Sequence, residues 1–159
     1  MIKSTSRKGH CACGEVEYEI TNDPMIVHAC HCTDCQRLTG SAFVINMWIE
    51  AINVNLLTGK LSSKTLAGGD GSDHDVFFCS SCGTYVWSQY HRAPGENLFI
   101  RAGTLEAPHE IKPDVHIFIR SKVPWLELPA DAVSFEAYYD RKDVWSAESL
   151  ERFERNTPA

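Results

Sequence analysis

Polar and apolar residues alternate strictly along Glu15-Val16-Glu17-Tyr18-Glu19-Ile20, the period of a half-buried strand. Asn22-Asp23-Pro24 then marks a turn. Further β-rich runs are Met25–Ala29, Ala42–Ile49, Val54–Leu57, Asp75–Phe78, Tyr85–Ser88, Asn97–Ala102, His116–Ile119 and Val133–Tyr138. Clusters of Gly, Pro, Asn and Asp separate them, notably Gly68–Asp73 and Ala93–Asn97. Many short strands joined by turn-rich connections predict a mainly β domain. Two segments read as helical. Thr33–Thr39 ends at Gly40, a residue suited to the left-handed position past a helix end. Ser146–Glu154 offers a serine cap and Glu148 in its first turn, and reads as a terminal appendage on a core spanning about residues 9–140.

The chain has 159 residues, enough for one domain over 1–159 and little more. A domain of that size buries enough surface to fold without staples, so its cysteines call for another explanation. Lys and Arg number 15 against 21 Asp and Glu, a net charge of −6 without a long basic run; that excludes an electrostatically driven nucleic-acid or membrane binder. The charged N-terminus, Met1–Lys8, leads into no apolar stretch and is not expected to be a signal peptide. No run approaches a membrane span. The expected compartment is the cytosol, where thiols stay reduced.

Seven cysteines, an odd number, fall into three groups: Cys11-Ala12-Cys13, Cys30-His31-Cys32-Thr33-Asp34-Cys35, and Cys79-Ser80-Ser81-Cys82-Gly83. A two-residue gap turns the chain so that both thiolates face one metal, and Gly83 allows the positive φ such a turn needs. A one-residue gap puts two side chains on one side of a strand or tight turn. The outer pairs together supply four thiolates, enough to close a structural zinc site. The middle group supplies three and leaves a position free, as catalytic zinc sites do. This division uses every cysteine and implies two zinc ions. Other divisions stay open: Cys30 and Cys32 could pair with Cys79 and Cys82, or His31 or another histidine could fill the fourth position. Disulfides fit poorly, since C-x-C spacing strains a bridge, and a C-x-x-C redox site lacks its βαβ context.

With these groups in view, the chain resembles the family of glutathione-dependent formaldehyde-activating enzymes, which includes centromere protein V. The likeness spans about Gly9 to Trp125. It rests on Gly9-His10-Cys11-Ala12-Cys13-Gly14, on Cys30 through Ser41, on Phe78-Cys79-Ser80-Ser81-Cys82-Gly83, and on His116-Ile117-Phe118 with Ser121-Lys122-Val123-Pro124-Trp125. The resemblance implies a β-tent fold around a structural zinc held by Cys11, Cys13, Cys79 and Cys82. It also implies a catalytic zinc on Cys30, Cys32 and Cys35. The implied chemistry is that of a carbon–sulfur lyase acting on a small thiol or thiol adduct, with S-hydroxymethylglutathione, formed from glutathione and formaldehyde, as the type case.

Three thiolates make zinc a weak Lewis acid but still let it bind and acidify a fourth thiol. Asp34 and His31 are candidates to move a proton; His31 reads more readily as a residue filling the turn, and His28 and His116 as buried core histidines. Arg37, Thr39 and Ser41 follow the cluster and could bind a substrate carboxylate, with a structural ion pair as the competing role for Arg37. Lys122 and Trp125 are candidates to line the pocket. Gly68–Asp73 has no lysine-bearing helix after it and reads as a surface turn rather than a phosphate loop. The alternative to an enzyme is a zinc-stabilised protein-binding module without catalysis.

Overall fold

A computed structural model describes residues 6–158. Ala159 and residues 1–5, on which part of the signal-peptide expectation falls, lie outside the described residues. Among the described residues ten strands form two sheets. The strands are β1 (Arg7–His10), β2 (Glu17–Ile20), β3 (Ile26–Cys30), β4 (Val44–Glu50), β5 (Val54–Thr58), β6 (Leu61–Ala67), β7 (Asp73–Cys79), β8 (Tyr85–Tyr90), β9 (Asn97–Arg101) and β10 (Val115–Ile117). Three helices complete the set: α1 (Thr33–Thr39), α2 (Arg141–Val144) and α3 (Ala147–Asn156). The small sheet runs β1-β2-β5 and the large one β10-β3-β4-β9-β8-β7-β6. All pairings are antiparallel except β10 with β3.

Register explains why the central strands are apolar on both faces. Ile26 pairs with Trp48 and Trp48 with Phe99, so these three share a face; Val27, Met47 and Ile100 lie next to them on the other. The alternating residues of β2 pack Tyr18 and Ile20 against the second row. The first row is covered by Tyr139, Trp145 and Phe153 from the C-terminal segment. A sheet buried on both sides reads as continuous apolar runs, which is what Met47-Trp48-Ile49 and Leu98-Phe99-Ile100 show.

Two strands escape the hydrophobic pattern. β1 is Arg-Lys-Gly-His, and its contribution is proximity rather than burial: a Cβ on Gly9 would lie 2.3 Å from the Tyr18 ring. β6 is an exposed edge strand with Lys64 at its centre, a composition that protects an edge but carries no core signal. The expected strand at Val133–Tyr138 forms only one bridge, His116 to Ser134. It runs beside β10 and exchanges His116 N–H to Val133 O and Phe135 N–H to His116 O. The ladder then breaks because Phe118 turns into the left-handed region at φ 57°, a conformation costly for a residue with a side chain.

The terminal helix is no appendage. Ser146 caps α3 through the Ser149 N–H as expected, and Ser149 Oγ donates to the Met25 carbonyl. Phe153 and Trp145 sit edge-on to the Trp48 ring. Arg152 donates to both Glu50 carboxylate oxygens at 2.9 and 2.6 Å, with each side chain 10% exposed. Burial alone would raise the Glu50 pKa, but the Arg152 hydrogen bonds and charge hold it below the ordinary value. An Arg152→Ala variant strands that carboxylate and is expected to lose roughly 3 kcal/mol at pH 7. The folded pKa is depressed, so the pair stabilises above the unfolded carboxylate range and its contribution fades as pH falls through the folded value. Melting curves of the two proteins should therefore differ most near pH 7 and converge in acid.

Candidate metal centre and active site

Two backbone knuckles and one helix start gather the seven sulfurs. In the first knuckle Gly14 takes φ 80° and its N–H closes on the Cys11 carbonyl; in the second Gly83 takes φ 75° and closes on the Cys79 carbonyl. The strands β1 and β7 deliver these turns to one place, where the sulfurs of Cys11, Cys13, Cys79 and Cys82 all lie within 4.8 Å of one another. Cys11 and Cys13 are 3.4 Å apart, Cys13 and Cys79 3.9 Å. A tetrahedron with zinc–sulfur bonds of about 2.3 Å has sulfur–sulfur edges of about 3.8 Å, so the spacing fits that metal. Partners are already oriented: Val16 N–H points at Cys11 Sγ at 3.3 Å, and Thr84 Oγ1 lies 3.1 Å from Cys82 Sγ. The Thr84 hydroxyl and N–H bring the Cys82 thiol down to about 5.

The second group forms where β3 runs out into α1. Cys30 is the last residue of β3, Cys32 caps α1, and Cys35 lies in its first turn. The three sulfurs lie within 4.8 Å of one another, and among the described residues no further His, Cys, Asp or Glu joins that group. Cys35 N–H donates to Cys32 Sγ at 3.3 Å. The thiols of Cys30 and Cys35, then the N–H groups of Cys35 and Asp34, hold the Cys32 thiol down to about 2. Its thiolate in turn raises Cys30, as does the Cys35 sulfur. One negative charge is thus favoured, and three together need a cation among them, which is how a divalent metal is accommodated by this donor set. Gly40 ends α1 at φ 64°, its N–H on the Gln36 carbonyl.

Two cavities adjoin this group. One of about 470 Å³ has Cys30 in its wall, with His28, Asn46, Trp48, Tyr90, Phe99, Phe118, Tyr138 and Arg141 among its other lining residues. The other, about 360 Å³, is lined by Cys32, Thr33, Asp34, His74 and Arg120. Asp70, Ser72, Tyr90 and Phe118 line both, so the two are neighbours across those side chains. The segment Gly68–Asp73, read as a plain surface turn, thus forms part of the cleft wall. Its Gly69 N–H donates to Asp34 Oδ2 at 2.7 Å. Asp34 therefore lies at the cleft.

The remaining candidates are distributed differently. His31 is fully buried between Phe43 and His116, its Nε2 3.0 Å from His116 Nδ1. Burial, then the His116 and Lys122 charges, lower it to about 4, and it lines neither cavity. His28 is buried and bonded to the Tyr139 hydroxyl at 2.6 Å, a core histidine as expected that also reaches a cavity wall. Arg37 is exposed and lines neither cavity; the neighbouring Gln36 instead donates to the His31 and Ser121 carbonyls and ties α1 to the chain after β10. Thr39 donates to the Cys35 carbonyl and, with Ser41, faces a separate cavity of about 500 Å³. Lys122 Nζ donates to the Val123 and Leu126 carbonyls, and Trp125 is 74% exposed; neither lines the cavities beside Cys30 and Cys32.

Sequence reasoning passes over Arg101. It is 4% exposed, its guanidinium lies 4.1 Å from the centre of the Tyr85 ring, and it donates to the Tyr85 and Ser88 hydroxyls. Burial would lower its pKa; the nearby Tyr85, Tyr90 and Cys35 groups more than offset this. Among the described residues no carboxylate pairs with it. A buried cation of this kind fits beside sulfurs that carry negative charge. The signal in the sequence was a lone arginine directly after the apolar run Leu98-Phe99-Ile100.

Fold and site together define a mainly β domain that presents two cysteine clusters, either of which could hold a metal ion. Residues 6–121 match the family of glutathione-dependent formaldehyde-activating enzymes, and the chain belongs to that family. No curated protein matches it. Among solved structures, a Rhodobacter sphaeroides protein is 26% identical over 67% of this chain and 91% of its own, with a TM-score of 0.49. Among the described residues no helix is long and apolar enough to cross a membrane.

Proposed function

We propose that the chain is a zinc-dependent enzyme of the carbon–sulfur lyase type, making or breaking the bond between a thiol sulfur and an aldehyde carbon. The observation that carries this reading is the group of three sulfurs, Cys30, Cys32 and Cys35, without a fourth ligand among the described residues, beside cavities large enough for a small molecule. Cys11, Cys13, Cys79 and Cys82 would hold the structural ion. Cys30, Cys32 and Cys35 would hold the second ion, which would supply Lewis acidity that favours the ionised form of a thiol.

The chain's own residues supply the rest. Asp34 Oδ2, held by Gly69, takes the thiol proton as the sulfur ionises. The sulfur lone pair then forms the C–S bond, the carbonyl π pair moves to oxygen, and that oxygen receives the proton from Asp34. Thiol and aldehyde thus sum to the hydroxyalkyl adduct, and the reverse sequence cleaves it.

The test is the rate at which a mixture of formaldehyde and each of several thiols reaches equilibrium with its adduct. Zinc-loaded protein should shorten that approach for at least one thiol, and Cys32→Ser should not. Equal rates with wild-type, variant and no protein across the panel would refute the reading.

A further inference from the structure

We infer that the cavity walled by Cys30 takes a sulfur substrate with a flat, apolar body and a single carboxylate, an aryl-substituted mercapto acid or its hydroxyalkyl adduct, in preference to a tripeptide thiol. This rests on the reading of Cys30, Cys32 and Cys35 as the thiol site.

Cys30 in the cavity wall fixes where sulfur enters, and the rings of Trp48, Tyr90, Phe99, Phe118 and Tyr138 line much of the rest beside the polar His28, Asn46, Asp70 and Ser72. The rings brace one another: Trp48 and Phe99 centroids are 4.5 Å apart, and Tyr90 meets Phe99 edge-on at 4.8 Å. Phe118 completes the wall from the left-handed backbone turn, held by its N–H on the Ala137 carbonyl and by the Ser121 N–H on its own carbonyl. Such a surface stacks on a flat apolar group. Glutathione brings two carboxylates, an ammonium and two amides, and each of these that lies against the rings loses its water without gaining a partner, which is unfavourable.

The same wall provides for one anion. Arg141 lies 4.4 Å from the Phe153 ring centre and 5.6 Å from that of Trp48. Its Nε is buried without a hydrogen-bond partner, and so is the Trp48 Nε1. Among the described residues no carboxylate forms an ion pair with Arg141. Arg92, in the same wall, is already paired with Asp70 at 2.9 Å. A buried N–H with no partner marks a place where a ligand acceptor gains most. One carboxylate matches it.

Calorimetric titration of the zinc-loaded full chain with 3-phenyl-2-mercaptopropanoate, 2-phenylethanethiol and glutathione tests this. The aryl mercapto acid should bind about ten-fold tighter than either of the others. Arg141→Gln should remove about ten-fold from the acid and leave phenylethanethiol unchanged, while Arg141→Lys should recover part of the loss. Glutathione binding tightest would overturn the substrate class but leave the thiol site standing. An equal loss for both aryl thiols in Arg141→Gln would make Arg141 merely structural and overturn the carboxylate contact. Binding of no thiol at all would overturn both this inference and the proposed function.

Discussion

A Cys32→Ser protein is expected to fold, to hold one metal ion per chain where the wild type holds two, and to lose activity at least about 100-fold. The fold should survive because the position is a helix cap. Cys32 Sγ accepts the Cys35 N–H, and a serine hydroxyl is among the best acceptors for that role. The metal should not survive, since the substitution removes one of only three ligands, and losing even a hydrogen-bond partner of a ligand costs 10–100-fold in affinity. Elemental analysis beside a circular dichroism spectrum checks both halves. Loss of both ions, or retention of both, would contradict the separation of the seven sulfurs into two groups.

Cys79→Ser should behave in the opposite way. Cys79 is 1% exposed and Cys11 0%, and their sulfurs join the turn after β1 to the turn after β7. Structural zinc sites contribute on the order of 10 kcal/mol to small zinc-finger peptides. In a domain with its own core, the loss of roughly 5 kcal/mol is a reasonable fraction. At about 2–4 °C per kcal/mol for this length, melting should fall by about 10–20 °C. Removing the metal from the wild type with a chelator should reproduce that drop. An unchanged midpoint would show that this cluster does not brace the fold.

How far these features were legible in the sequence depended on what kind of physics set them. Burial left a clear trace: the alternation of Glu17–Ile20 became β2 with Tyr18 and Ile20 inside, and Gly40 ended α1 where expected. Local turn geometry made each cysteine group legible from its spacing, whereas the joining of Cys11 and Cys13 to Cys79 and Cys82 depended on the fold bringing the ends of β1 and β7 together. What escaped depended on tertiary neighbours. β1 contains no large apolar residue and exists because Gly9 fits against Tyr18. Trp145 and Phe153 looked terminal, yet they close the core over Trp48. Around the candidate site, nearness to the cysteines in the chain favoured Arg37 over Arg101. α1 leaves Arg37 exposed, whereas β9 buries Arg101 beside Cys35. Phe118 gave no conformational signal, since a left-handed phenylalanine is imposed by the flanking strap rather than by its own preference.

X-ray absorption at the zinc edge of metal-replete protein, before and after saturation with a binding thiol, addresses the claim that Cys30, Cys32 and Cys35 admit a sulfur from outside the chain. The average zinc should carry about 3.5 sulfur neighbours in the free protein and about 4 once the thiol is bound. An average of about 4 sulfurs before any thiol is added, or one that stays near 3.5 when a bound thiol is demonstrably present, would contradict it.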